Sequence, residues 1–119
     1  MECNGRILIV EDDALLSMLL EDMLSELSYE VSGTASGLRQ GLDLAGSLAF
    51  DAAILDVSLA GESSLPIARL LDEMGKPYFF ATGYGALPNG VSTASQPVLK
   101  KPYELRQLKA ALADLKLNS

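Results

Sequence analysis

The sequence predicts an α/β domain, a doubly wound five-stranded parallel sheet with helices on both faces. Three observations carry that prediction. Short runs that are apolar at every position alternate with longer segments of helical spacing, as expected of strands covered on both sides by crossover helices. The chain has 119 residues, 49% of them apolar, enough for one core and one domain over residues 1–119. Charged residues gather where the apolar runs stop, the edge at which open α/β sheets bind ligands.

Each element follows from its local pattern. Ile7–Val10 reads as the first strand and breaks into Glu11, Asp12 and Asp13. Leu16, Leu19, Leu20, Met23, Leu24 and Leu27 then form one helical stripe from Asp13 to Leu27. Tyr29–Thr34 alternates polar and apolar residues and suits a sheet edge. The second helix carries Leu38, Leu42, Ala45 and Leu48, with Ser36 as its expected N-cap. Ala52–Leu55 is the third strand, ended by Asp56. The third helix starts at Pro66, a favoured first-turn residue, presents Ile67, Leu70, Leu71 and Met74, and stops at Gly75 before Pro77. Tyr78–Ala81 is the fourth strand, ended by Thr82. A fourth helix would belong in Gly83–Gln96, but "GYGALPNGVSTASQ" breaks helical spacing, so a short turn or a loop is expected there. Val98–Leu99 is a brief edge strand followed by Lys100 and Lys101, and the last helix carries Leu105, Leu108, Ala111, Leu112 and Leu115.

Composition narrows the function. A net charge of −7 argues against binding nucleic acid or an acidic membrane surface. Histidine is absent, which removes histidine triads and histidine metal sites. The one cysteine, Cys3, cannot form an internal disulfide. No apolar stretch reaches the length of a membrane span or signal region, so a cytoplasmic monomer is expected.

The topology should bring Glu11, Asp12, Asp56, Thr82 and the two lysines to one edge. Carboxylates crowded in a partly dry cleft need a cation, and an all-oxygen donor set suits Mg²⁺. With its neighbours neutralised, Asp56 could attack a phosphoryl group, whose transfer depends on positioning and charge neutralisation. Lys101 and the Thr82 hydroxyl would hold further phosphoryl oxygens. Taken singly, each residue has a plainer explanation: Asp13 as a helix cap, Asp56 as a turn former, Thr82-Gly83 as turn chemistry, Lys101 as a solvated edge. Their convergence is what favours a site.

"ILIVEDD", "AAILDVSLAGE", "FFATGYG" and "VLKKPY", in this order and spacing, resemble the receiver domain of two-component response regulators over essentially the whole chain. The resemblance implies a flavodoxin-like strand order of 2-1-3-4-5. It makes Asp56 the phosphoacceptor, Glu11 and Asp12 the Mg²⁺-binding pair, Ser58 a metal ligand through its backbone carbonyl, Thr82 the switch hydroxyl and Lys101 the lysine before Pro102. Asp13 then falls outside the pair and starts the first helix. Phe80-Ala81-Thr82-Gly83-Tyr84 and "SLAGESSLPIA" look like the "FAT GUY" subgroup, which implies a histidine kinase of the HWE/HisKA2 type as phosphodonor. Val98 stands where many receivers carry a switching aromatic, so signalling is expected to run through the glycine-rich segment instead. With no effector domain expected after Ser119, output would pass to a downstream protein target as a relay, a phosphate sink or a docking switch.

Three rival readings stand beside it. A metal-dependent aspartyl-phosphate phosphatase wants an acid two residues after its nucleophile, where this chain has Ser58. A nucleotide binder wants a phosphate-cradling loop after the first strand, where "EDD" repels anions. A degenerate, phosphorylation-independent receiver would not need the acceptor, acids, threonine and lysine that are all present.

Overall fold

Strands and helices alternate as the apolar pattern requires, in the order β1 (Arg6–Val10), α1 (Ala14–Glu26), β2 (Glu30–Ala35), α2 (Leu38–Ser47), β3 (Ala52–Asp56), β4 (Ser58–Leu59), β5 (Glu62–Ser63), α3 (Leu65–Met74), β6 (Tyr78–Thr82), β7 (Val98–Lys100) and α4 (Leu105–Asp114). The computed structural model describes residues 5–47, 49–56, 58–59, 62–82, 98–100 and 105–114, with the backbone alone at 58, 81–82, 98–100 and 114. Five strands form one sheet in the order β2-β1-β3-β6-β7, every pairing parallel. This is the expected 2-1-3-4-5 arrangement, with the alternating strand and the brief strand on the two edges.

The inner runs Ile7–Val10, Ala52–Leu55 and Tyr78–Phe80 are apolar at every position because each face of the sheet meets its own pair of helices. Leu8, Val10, Ala53, Leu55 and Phe80 point into a core shared with Ala45 of α2 and Ile67, Ala68 and Leu71 of α3. Ile7, Ile9, Ala52, Ile54 and Phe79 point the other way, onto Leu20 and Leu24 of α1 and Leu108, Ala111 and Leu112 of α4. The period-2 alternation of a strand thus divides one apolar run between two cores.

Several expectations need correction. Leu19, assigned to the buried stripe of α1, is 51% exposed, and Met74, assigned to that of α3, is 40% exposed. Helix α1 is apolar on nearly every side, so periodicity alone could not choose its inner face. Ser36 does not cap α2. The Gly37 carbonyl accepts the first helical bond from the Gly41 N–H, while the Ser36 N–H and hydroxyl donate to Gln40 Oε1 at 3.1 and 3.3 Å. The β4–β5 hairpin, paired Ser58 to Ser63 and Leu59 to Glu62, was not anticipated. Its Leu59 is fully buried in the α2–α3 core. By contrast, Gly75 ends α3 as expected, in the left-handed conformation at φ 72°. The Gly83–Gln96 segment with its Tyr84, Lys101–Pro102, Cys3, Leu48 and Leu115 lie outside the described residues.

Candidate metal centre

The site is assembled where β1 and β3 end. Val10 and Leu55 are registered partners, so the next residues, Glu11 and Asp56, emerge at the same sheet edge. The Glu11 N–H donates to the Ala35 carbonyl at 2.9 Å, which extends the β1–β2 pairing by one step and fixes where that side chain leaves the sheet. The chain then turns into α1, and the Asp13 N–H donates back to Glu11 Oε2 at 3.1 Å.

The three consecutive acids do different work. Asp13 is the N-cap of α1, its Oδ1 accepting from the Leu15 and Leu16 N–H groups at 2.9 and 3.3 Å. Its carboxylate satisfies orphan donors and sits favourably at the positive end of the helix dipole. Glu11 and Asp12 instead join Asp56: one carboxylate oxygen from each lies within 4.8 Å of the others. Glu11 and Asp56 are only 4% and 7% exposed, while Asp12 faces water. Among the described residues no buried side-chain nitrogen or oxygen lacks a hydrogen-bond partner.

Three hard oxygen donors at this separation fit a small divalent cation. Opposite ligands of an octahedral Mg²⁺ lie about 4.2 Å apart, twice its usual bond length to oxygen. Adjacent ones lie about 3 Å apart, so oxygens that all fall within 4.8 Å of one another close on a shared ion with side-chain movement of at most about 2 Å. A cleft of ≈ 310 Å³ opens beside the acids, its walls including Ser17, Met18 and Glu21 of α1 and Thr34, Ser36 and Gln40 around the β2–α2 turn. These wall residues were not picked out from the sequence. The available signal was the spacing of Ser17 and Glu21, which puts both on one face of the helix that leaves the acids.

The other expected site residues are placed in part. Asp56 is registered to Ala81 and so lies one residue short of Thr82, and Thr82 is registered to Lys100. The backbones of Thr82 and Lys100 thus reach the same carboxyl edge as the acids. Ser58 opens β4, two residues beyond Asp56. Lys101 lies outside the described residues.

Fold and site together define a doubly wound parallel α/β domain of the CheY-like class, with a carboxylate nest at its strand ends. The chain belongs to the response regulator receiver domain family, whose sequence model matches residues 7–113; such domains are the signalling modules of two-component systems. It is similar to SdrG from Sphingomonas melonis Fr1, whose solution structure superposes with a TM-score of 0.83 at 39% identity, covering 97% of this chain and 98% of that one. The receiver domain of the PhyR response regulator from Erythrobacter litoralis superposes with a TM-score of 0.82 at 26% identity, covering 98% and 95%. The transcriptional regulatory protein QseB of Escherichia coli O157:H7 is 33% identical over 115 residues, 92% of this chain and 52% of that protein. The chain spans about half the length of the curated relatives it matches. No helix among the described residues is long and apolar enough to cross a membrane.

Proposed function

We propose that the chain is a receiver that accepts a phosphoryl group on Asp56 from a histidine kinase and signals to a partner protein from the cytoplasm. The observation that carries this reading is the junction of a nearly buried Asp56 with Glu11 and Asp12 at one strand edge. Glu11, Asp12, Asp56 and the Ser58 carbonyl would hold Mg²⁺, which supplies charge neutralisation for the incoming phosphoryl oxygens when bound. A carboxylate oxygen of Asp56 forms the new bond to phosphorus as the bond to the donor histidine nitrogen breaks. Thr82 and Lys101 would bind the transferred oxygens, the lysine by charge and the threonine by its hydroxyl. The hydrogen bond donated by the Asp13 N–H to Glu11 Oε2 at 3.1 Å would orient the first acid for this task.

The "FATGYG" sequence and the likeness to SdrG over nearly all of both chains support placement in the FAT GUY subgroup, with an HWE/HisKA2-type kinase as donor and another protein as output. Catalysis in this reading is limited to self-phosphorylation and autodephosphorylation. The test is mass spectrometry after exposure to acetyl phosphate and Mg²⁺. The wild type should gain one phosphoryl group that maps to Asp56 and is not gained when the metal is chelated beforehand, and Asp56→Asn should gain none. Steady hydrolysis of phosphate monoesters would support a phosphatase, and an unmodified wild type would support a degenerate receiver.

A further inference from the structure

Between the acid nest and α3 the chain makes the small β4–β5 hairpin, whose own pairing cannot account for its place in the fold. Its strands hold two residues each, paired Ser58 to Ser63 and Leu59 to Glu62, and even longer isolated hairpins are marginal in water. Glu62 and Ser63 are exposed. Leu59 is fully buried, in the cluster that holds Val10 and Leu55 of the sheet and Ile67 and Leu71 of α3. The second strand is tied to α3 by hydrogen bonds instead. Ser63 Oγ accepts from the Leu65 N–H at 3.1 Å, and the Ser64 carbonyl accepts from the Ile67 and Ala68 N–H groups at 3.0 and 3.2 Å. Among the hairpin side chains described, Leu59 is the one that reaches the core, three residues after Asp56.

That side chain has leverage on one atom of the site. The Ser58 carbonyl and the Leu59 Cα belong to the same planar peptide unit, so anchoring Leu59 restricts where the carbonyl can point. We infer that Leu59 is a positioning residue of the metal centre: its burial fixes the Ser58 carbonyl for the ion that Glu11, Asp12 and Asp56 would share. The inference rests on the reading of that carbonyl as a metal ligand and deepens it. Affinity for the ion is set from the hydrophobic core, through a residue that touches neither the ion nor the phosphoryl group. Groups that orient metal ligands from outside typically carry about 10- to 100-fold in affinity. The choice of ion is affected too. Mg²⁺ demands near-octahedral geometry, whereas Ca²⁺ accepts a looser and more variable shell. Loosening Leu59 therefore penalises Mg²⁺ more than Ca²⁺, a selectivity that loss of stability alone would not change.

The experiment compares Leu59→Ala with Leu71→Ala, which opens a cavity in the same core from α3. Mg²⁺ and Ca²⁺ are titrated separately into the isotope-labelled full chain, and NMR shifts of the amides at the ends of β1 and β3 give each Kd. Thermal unfolding of the metal-free proteins should show similar losses in Tm for the two variants. Leu59→Ala should weaken Mg²⁺ by about tenfold and Ca²⁺ by less, while Leu71→Ala should change either by less than about twofold. Leu59→Met, close to leucine in volume, should restore Mg²⁺ affinity. Should Leu59→Ala fail to fold, Leu59→Val carries the same comparison with a smaller loss, about threefold. Equal weakening by the Leu59 and Leu71 variants, equal weakening of both ions, or wild-type affinity in the Leu59 variants would overturn the inference. Acetyl phosphate labelling separates it from the reading it rests on. A wild type labelled on Asp56 with Leu59 variants of unchanged Mg²⁺ affinity would sink the inference and leave the acceptor standing. A wild type that binds Mg²⁺ without being labelled, and whose affinity falls with Leu59→Ala, would do the reverse.

Discussion

Replacing Asp56 with asparagine should make the metal-free protein more stable, although it removes the residue on which the proposed chemistry depends. Asparagine keeps the size of the side chain, exchanges one acceptor oxygen for an amide donor and deletes the charge. Carboxylate oxygens of Glu11 and Asp56 lie within 4.8 Å and both side chains are buried; at that separation and an effective dielectric of about 20, two unit charges repel by about 3.5 kcal/mol. Asp12 faces water, so its repulsion of Asp56 adds at most about 1 kcal/mol. Part of this is already offset by the hydrogen bonds of the nest, and a net gain of about 1–3 kcal/mol is expected. In a domain of this size that corresponds to a rise of roughly 4–10 °C in Tm. Urea and thermal unfolding in EDTA, followed by circular dichroism, measure it. Mg²⁺ should then act in the opposite direction: at 100 times its Kd it stabilises the wild type by about 2.7 kcal/mol, and it should stabilise Asp56→Asn much less. A metal-free variant less stable than the wild type, or equal stabilisation of both by Mg²⁺, would refute the electrostatic account.

Three further outcomes follow from the packing. Asp13→Ala removes the cap of α1, whose two bonds run to the Leu15 and Leu16 N–H groups, and should cost about 1 kcal/mol in urea unfolding. Gly41→Ala would bring a Cβ to 2.5 Å from Ile67 Cδ1 and 3.3 Å from Val10 Cγ1, an overpacking cost of about 1–3 kcal/mol against a gain of about 1 kcal/mol in helix propensity. Ile67→Val removes that Cδ1, so the double variant should be more stable than the sum of the two single losses predicts, a coupling read from a double-mutant cycle. The Tyr78 hydroxyl is pushed up to about 12, first by burial and then by its bond to Asp72 at 3.1 Å. Because the folded state holds this proton more tightly than the unfolded chain does, the contribution is complete below pH 10 and is lost as pH rises through 12. Tyr78→Phe should flatten the stability profile in that window.

The elements most legible in the sequence were those with the strongest physical signature. Ile7–Val10, Ala52–Leu55 and Tyr78–Phe80 are apolar throughout because both of their faces are buried, and that pattern survives without any knowledge of neighbours. The acid nest was legible for a topological reason: parallel strands deliver their carboxyl ends to one edge, so Glu11, Asp12 and Asp56 could be brought together from strand order alone. Two kinds of feature escaped. The β4–β5 hairpin has strands of two residues each, too short for a period to register. Only the Ala60-Gly61 pair between them hinted at a turn. Faces were misjudged where composition was uniform. Leucines and methionines surround α1, so Leu19 could be assigned to either side, and the α2 stripe left out Gly41, which is buried beside Ile67.

The claim beneath all of this is that Glu11, Asp12 and Asp56 share one divalent ion. Titrating Mn²⁺ into the labelled protein tests it directly, since a bound paramagnetic ion broadens the signals nearest to it. The amides at the ends of β1 and β3 should disappear first, excess Mg²⁺ should restore them, and Asp56→Asn should weaken the effect. Broadening centred on other acids, such as Glu62 or Glu73, or spread evenly over the acidic surface, would contradict it.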